Sequence, residues 1–199
     1  GITLYIRYRQ VDFGINSGEL DLSKRWNTIA LWLAGFISLG ISMVANFQET
    51  GVMAVHFLGA NLTFGLGSAY FLIQTKISYA SLRQISVTRH YPEISKNLFY
   101  LRIFLSVFLF PLLCVVGICG IISRNEFKGK HITWWTEKDG GFQIRLASTF
   151  TEWILVIFML LYVLTYTNEF KSLEFDEIRF TNKSTSLKNG AQESISANC

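Results

Sequence analysis

The strongest constraint on this sequence is a set of long stretches that carry no charged side chain. No Asp, Glu, Lys or Arg occurs at positions 26–48, 50–75 or 103–123, where Leu, Ile, Phe and Val are frequent. A helix rises about 1.5 Å per residue, so roughly 20 residues cross the hydrocarbon core of a bilayer. A fourth stretch, 146–166, is as apolar but contains one acid, Glu152. The sequence therefore predicts an all-α, polytopic transmembrane helical bundle.

The predicted bundle covers positions 1–181 and contains four complete spans, at about 27–47, 52–75, 98–123 and 146–166. Ahead of the spans, an apolar segment is followed by two arginines (Ile2, Leu4, Tyr5 and Ile6, then Arg7 and Arg9). A signal peptide has the reverse order. We interpret this segment as the remnant of a helix that begins upstream, which makes the chain a C-terminal fragment or a truncated isoform. The tail 182–199 is rich in Ser, Asn and Lys, and we expect it to be disordered.

Basic residues are distributed unequally between the two ends of the predicted spans. The N-terminal remnant, the loop 76–97, the tail and the adjoining span ends hold 13 of the 18 Lys and Arg residues. The opposite end has none in the turn 48–51 and five in the loop 124–145. Because cytoplasmic loops carry the excess of Lys and Arg, we expect a cytoplasmic tail and a lumenal or extracellular loop 124–145. Orientation therefore explains the net charge of +4, and we expect no nucleic-acid partner.

Polar and small residues line one face of the second predicted span. At 100° per residue, its members fall within about 60° of one helical line. They are His56, Gly59, Thr63, Gly67, Tyr70 and Gln74. Close packing against another helix is one interpretation, because small residues let membrane helices approach each other. A groove for a ligand or a lipid headgroup is the alternative.

Glu152 is the only acid inside a predicted span, and a charge at membrane depth needs a partner or a proton. It lies about two turns inside the last span, near the end at which His56 enters the second span. Asn46 and Gln48 fall at the same end. We therefore predict an intramembrane polar cluster of these four residues. A structural hydrogen-bond cluster is one interpretation, and a pH-responsive or transport site is the other.

The sequence gives little support for catalysis. It contains no G-x-S-x-G, H-E-x-x-H or GxxxxGK[ST] motif. Cys114 and Cys119 lie inside a span, and neither has metal-ligand spacing to a histidine. We therefore predict that the protein is not an enzyme and needs no cofactor or metal.

An ordered set of short segments resembles the damage-regulated autophagy modulator (DRAM) family. The segments run from the N-terminus to the last span and leave out only the tail. They are Arg7-Tyr8-Arg9, Ala45-Asn46-Phe47-Gln48-Glu49, His56 with Gly59-Ala60, Phe64-Gly65, Gln74, Ile77-Ser78-Tyr79, Trp135 with Glu137-Lys138, Glu152-Trp153, Leu164-Thr165 and Glu169-Phe170. The resemblance implies six spans in the full protein, of which this chain would lack the first and most of the second.

The resemblance also implies a function. Members of that family are non-enzymatic proteins of the lysosomal membrane that promote or modulate autophagy, with links to apoptosis. Membrane lipids and proteins of the autophagy or lysosomal machinery are the expected partners. Sister groups with the same Asn-Phe-Gln core are cell-surface proteins. The alternative is therefore a transporter or channel-like protein at the plasma membrane, with a mechanically activated current or an ion or lipid path.

Two tetrapeptides on the predicted cytoplasmic side place a bulky apolar residue three positions after a tyrosine. They run from Tyr79 to Leu82 and from Tyr91 to Ile94. Adaptor proteins read this pattern as an extended peptide, so both are candidate sorting signals to the lysosome. Such short patterns are also common by chance, and a tyrosine at the membrane boundary is typical of an interfacial belt.

The charge distribution yields a testable topology. A cysteine introduced in the loop 124–145 should react with an impermeant reagent only from the lumenal or outer side. A tag placed after Cys199 should be reached only once the membrane is permeabilised. Exposure of that tag in the lumen or on intact cells would show the inverted orientation.

Overall fold

The computed structural model describes residues 1–49, 51–83, 94–130, 132–171 and 173. These residues form helices and connecting turns, and none of them lies in a β-strand. The α-helices are α1 (Ile2–Asn16), α2 (Lys24–Asn46), α3 (Met53–Ala60), α4 (Leu66–Arg83), α5 (Lys96–Glu126), α6 (Phe142–Leu164) and α7 (Thr167–Phe170). A π-helical turn, Asn61–Gly65, joins α3 to α4, and two short 3-10 turns, Ile132–Trp134 and Glu137–Asp139, lie between α5 and α6. The prediction of an all-α membrane protein is confirmed.

Three helical segments are long and apolar enough to cross a membrane within the described part of the chain. They are Lys24–Asn46, Lys96–Glu126 and Phe142–Phe170. Most of their large apolar side chains point away from the protein, as lipid-facing residues do; Trp32, Phe110 and Leu160 are examples. The second predicted span coincides with the helical run from α3 through α4, which the π turn divides. The count of four spans stays a prediction.

The helices continue beyond the apolar stretches that predicted them. The second predicted span ends at position 75, whereas α4 reaches Arg83 and includes the first part of the predicted loop 76–97. α5 likewise begins at Lys96, where the Ser95 side chain accepts a hydrogen bond from the Leu98 amide at 3.2 Å. Hydropathy marks where lipid ends, but helical hydrogen bonds end only at a cap or a turn.

The chain runs up and down through the bundle, so its connections collect at two ends. We call the end with the turn 47–52 and the loop 127–141 the loop end, and the opposite end the basic end. α2 packs against α1, α3 and α4, α4 also packs against α5, and α5 pairs with α6. A central core joins these helices through residues that are almost fully buried. They are Ala30, Ala34, Ile37, Phe64, Tyr70, Phe71, Leu105, Leu109, Leu155, Tyr162 and Tyr166.

The backbones of α2 and α3 approach each other closely at Gly40 and Gly59. A Cβ atom on Gly40 would lie 2.7 Å from the Gly59 carbonyl oxygen, and one on Gly59 would lie 2.9 Å from the Gly40 carbonyl oxygen. Real Cβ atoms do not come so close to backbone atoms. Only glycine fits at both positions, as expected where membrane helices associate through small residues.

The predicted packing face of the second span lies against the rest of the bundle. Gly59, Gly67, Tyr70 and Gln74 are buried, and Thr63 is half-buried. Its tightest point is Gly59, whereas a Cβ on Gly67 would meet only the terminal methyl of Met159, at 3.0 Å. The flexible methionine could move aside, so Gly67 is less constrained than its position on the face suggests.

Two glycines of the same helix allow a controlled test of this contact. Gly40→Ala should destabilise the protein by roughly 1–3 kcal/mol, because the added methyl group meets the α3 backbone. Gly35 is exposed and has open space around it, so Gly35→Ala should be neutral or slightly stabilising. Thermal unfolding in detergent micelles measures both variants. Equal stabilities would contradict the close contact between α2 and α3.

Candidate functional site

A buried ionic cluster joins three helices at the basic end. Glu169 of α7 accepts hydrogen bonds from Arg7 of α1, at 2.7 Å, and from Arg102 of α5. All three side chains are almost fully buried, with 0% exposure for each arginine and 3% for the glutamate. We call these residues the ion triad. Buried charges are retained only when they are paired and hydrogen-bonded, so the triad fixes how the three helices meet.

Neighbouring polar groups complete the hydrogen bonding of the triad. The Arg7 guanidinium also donates to the side-chain oxygens of Gln74, at 3.1 Å, and Gln10, at 2.8 Å. Arg102 donates to the hydroxyls of Ser78 and Thr165, each at 2.8 Å. These contacts bring α4 and the end of α6 into the same cluster.

Tyrosine rings separate the triad from the apolar core. The guanidinium carbons of Arg7 and Arg102 lie 4.9 and 5.0 Å from the ring centre of Tyr166, within the range of a cation–π contact. One turn deeper, the Tyr162 hydroxyl lies 2.8 Å from the Thr75 hydroxyl, which donates to Ser106 at 3.1 Å. Polar contacts therefore continue one layer into the bundle between α4, α5 and α6.

The sequence interpretation treated Arg7 and Arg102 as cations beside the membrane, and the structure corrects this. Both side chains are buried, and Glu169 of α7 supplies the opposite charge. One signal was present: Arg7 and Glu169 both fall in segments that resemble the DRAM family. Nothing in the spacing paired them, since they are 162 positions apart.

A cavity of about 450 Å³ opens at the loop end, between α3 with its π turn on one side and α5 and α6 on the other. Its charged lining residues are Glu49, His56, Arg124, Arg145 and Glu152, and its apolar ones include Phe57, Phe64, Leu113 and Ile121. Helical π turns are frequent at functional sites, and this one forms part of the wall. The cavity is the candidate ligand site of the described chain.

The structure brings together two of the four residues predicted to form the intramembrane polar cluster. His56 and Glu152 line the cavity, but no hydrogen bond or ion pair joins them. The Nδ1 atom of His56 lies 2.7 Å from the backbone oxygen of Phe47. Asn46 is exposed and donates to the Ser42 carbonyl at 2.7 Å. Gln48 is also exposed, and its carbonyl accepts from the Gly51 and Val52 amides in the turn.

The charged groups of the cavity differ in whether the chain supplies them with partners. Arg145 is held by the Glu49 carboxylate, 3.9 Å away, and by the Trp135 ring, 4.5 Å from its guanidinium carbon. In contrast, the side chains of Arg124 and Glu152 make no hydrogen bond or ion pair with any described residue. Both are half-buried. The cavity therefore offers one guanidinium group and one carboxyl group to an outside molecule.

The loop above the cavity is held by a local network. The Thr136 amide and hydroxyl donate to the Asp139 carboxylate at 2.7 and 2.8 Å, and Trp135 donates to the Gly140 carbonyl at 2.8 Å. The two bonds from Thr136 lower the pKa of the Asp139 carboxyl, the backbone bond contributing most. Because the folded-state pKa is lowered, this contact stabilises the loop above the ordinary carboxyl pKa and is lost as pH falls through the lowered one.

The two candidate sorting signals are placed differently. Tyr79 and Leu82 lie in the last turns of α4, so they do not have the extended conformation that adaptors read. Tyr79 is exposed and its ring stacks near Phe99, with centroids 5.8 Å apart. Tyr91 lies outside the described residues, as does the tail 182–199, and Ile94 is buried. The first tetrapeptide fits an interfacial tyrosine better than a sorting signal.

Comparison with known proteins assigns the family. Residues 1–173 match the family described as the Frag1/DRAM/Sfk1/Cwh43P N-terminal domain, which includes all three members of the ion triad and the whole cavity. The chain belongs to the Frag1/DRAM family. No solved structure matches this family member.

Named relatives lie in the DRAM branch and near it. The chain is 32% identical over 174 residues to DNA damage-regulated autophagy modulator protein 2 of Bos taurus, and 30% identical to that of Homo sapiens. It is 31% identical over 173 residues to the modulator of macroautophagy TMEM150B of Danio rerio. These matches cover 86%, 86% and 87% of this DRAM-family chain, but only 62%, 62% and 60% of the relatives. The chain thus spans less than two thirds of their length.

Two arginines of α1 allow the ion triad to be tested. Arg7→Gln leaves Glu169 without one of its charged donors, and we expect a loss of roughly 3–5 kcal/mol, the scale for breaking a buried ion pair. Arg9 lies two positions on and is exposed, so Arg9→Gln should change stability by less than about 0.5 kcal/mol. Unfolding in detergent measures the difference. Equal effects of the two substitutions would show that the triad does not hold α1 in place.

Proposed function

We propose that the protein containing this chain is a non-enzymatic, multi-pass modulator of autophagy that acts through protein or lipid partners. The observation that carries the proposal is the match with named autophagy modulators, which extends over nearly the whole described bundle and not over a single motif. Physical features agree with it. The ion triad is buried and its charges are paired within the chain, so it suits a structural role.

We propose the lysosomal membrane as its location, with the tail in the cytosol and a link to apoptosis. The asymmetry of basic residues supports the orientation, because it places the loop end in the lumen. The Asp139 contact with Thr136 suits that side, since a lowered carboxyl pKa keeps the contact intact in a mildly acidic compartment. The plasma membrane is the alternative location.

A transporter or channel-like activity is the second candidate, and the cavity is the observation that favours it. Glu152 and His56 both line a cavity at membrane depth, as residues of ion paths do. The interior beyond the cavity is packed, however. Leu109 and Leu155, the next core residues toward the basic end, are each 0% exposed. A cavity that ends at a packed core supports binding more than passage.

Autophagic flux in cells that lack the protein tests the proposal. Re-expression of the full-length protein should restore the turnover of a lipidated autophagosome marker, measured as the difference with and without inhibition of lysosomal acidification. Arg9→Gln should restore flux equally, whereas Arg7→Gln should not, because the bundle is then unstable. Marker turnover that is unaffected by both deletion and re-expression would contradict the proposed function.

Transport requires a separate measurement with the same protein. Reconstituted into liposomes, it should carry no ion current above that of protein-free liposomes, with or without membrane tension. A current that Glu152→Ala abolishes would favour the second candidate over the first.

A further inference from the structure

The cavity at the loop end contains two ionisable groups that have no hydrogen-bond or ion-pair partner among the described residues. Arg124 lies near the end of α5 and Glu152 lies in α6, and both line the same space. An ionisable side chain at membrane depth is costly unless something pairs with it. No described side chain forms a hydrogen bond or an ion pair with either residue, so a bound molecule is the simplest source of their partners.

The polar residues that line the cavity lie at successive depths along the membrane normal. Along α6, Arg145, Ser148 with Thr149, and Glu152 occupy successive turns on the cavity side. At about 1.5 Å per residue, Glu152 lies about 10 Å deeper than Arg145. Arg124 is close to the same outer level, because α5 ends two residues later, at Glu126. Guanidinium groups therefore lie at the mouth, and a carboxyl group lies below them.

The neighbouring helix α5 leaves room beside these residues. Gly117 and Gly120 line the cavity on α5, and a Cβ on Gly117 would meet nothing within 4 Å. The Ser148 hydroxyl is already engaged with the Val116 carbonyl, at 2.9 Å. Deeper still, Phe64 and Leu113 make the wall apolar. With increasing depth in the membrane, the lining of the cavity thus changes from cationic groups to hydrogen-bonding groups and then to apolar side chains.

This order of lining groups matches a lipid headgroup followed by the first part of its hydrocarbon chain. Arginine pairs well with phosphate oxygens, which lie at the membrane boundary. A carboxylate just below that level accepts hydrogen bonds from a hydroxyl or an N–H group. A volume of about 450 Å³ is in the range of ligand sites and is large enough for such a headgroup.

We propose that the cavity binds a phospholipid whose backbone carries a free hydroxyl or N–H group next to the phosphate, as sphingomyelin does. The phosphate lies against Arg124, the hydroxyl or amide donates to Glu152, and a chain follows Phe64 and Leu113. This inference names the class of lipid partner in the proposed function, and it rests on the proposed function only for the role of that lipid as a partner.

Two lipids with the same headgroup provide the sharpest test. Sphingomyelin and dioleoyl phosphatidylcholine both carry phosphocholine, but only sphingomyelin has the hydroxyl and the amide N–H. The full-length protein, purified in mixed micelles, is loaded with a fluorescent sphingomyelin that is then displaced by each lipid. We expect sphingomyelin to displace it at about tenfold lower concentration, the effect of one hydrogen bond to a charged group.

Variants assign the preference to residues. Glu152→Ala should abolish the tenfold preference, whereas Glu152→Gln, which keeps an acceptor, should retain part of it. Arg124→Gln should weaken the binding of both lipids by about tenfold. Lys128 is exposed and lies outside the cavity, so Lys128→Gln should leave the binding of both lipids unchanged. If Glu152→Ala still binds dioleoyl phosphatidylcholine as the unsubstituted protein does, its loss of the preference does not reflect misfolding.

The last measurement is the displacement of the fluorescent probe by soluble phosphocholine. If it displaces the probe as well as sphingomyelin does, the site takes a free phosphate and the lipid proposal is wrong. Equal displacement by the two lipids would likewise overturn the proposal. Because binding is measured on purified protein, a negative result here leaves the autophagy proposal standing, and absent autophagic flux would leave a positive binding result standing.

Discussion

The pairing of Glu169 with two arginines is the interaction on which the arrangement of the basic end depends. Lipid is as apolar as the helix faces that it covers, so apolar packing alone does not select one arrangement of membrane helices. Arg7, Arg102 and Glu169 have almost no exposure, and each would be destabilising if it were left unpaired. They therefore penalise any arrangement of α1, α5 and α7 that separates them. Gln74 and Ser78 extend the same constraint to α4.

Charged side chains have different surroundings at the two ends of the bundle. At the basic end, the arginines are enclosed by carboxylate, amide, hydroxyl and tyrosine groups of the chain itself. At the loop end, Arg124 and Glu152 face a cavity, and only Arg145 is held, by Glu49 and Trp135. A satisfied cluster contributes to one stable arrangement, whereas exposed charges in a pocket are available for recognition. Structure and binding are thus assigned to separate ends of one small bundle.

Charge-free stretches predicted the helices well, because a segment that enters lipid must satisfy its backbone internally. The first predicted span, 27–47, became α2, Lys24–Asn46. Side-chain partners were harder to predict. Glu152 and His56 were correctly placed at one end, but His56 contacts a backbone oxygen, which no side-chain pattern encodes. The ion triad was missed because a cation beside a span and a cation paired with a carboxylate far away in the chain look the same in sequence.

The π turn at Asn61–Gly65 has a consequence for the cavity wall. A π turn accommodates about one residue more than an α-turn, and each residue of an α-helix advances by about 100°. The π turn therefore changes the rotation of α3 about the helix axis relative to α4. Without it, the two segments would form one continuous α-helix. Removing a single residue there would rotate α3 by about that angle against α4 and carry His56 out of the cavity. The direction in which this histidine points is set by backbone winding more than a turn away along the chain.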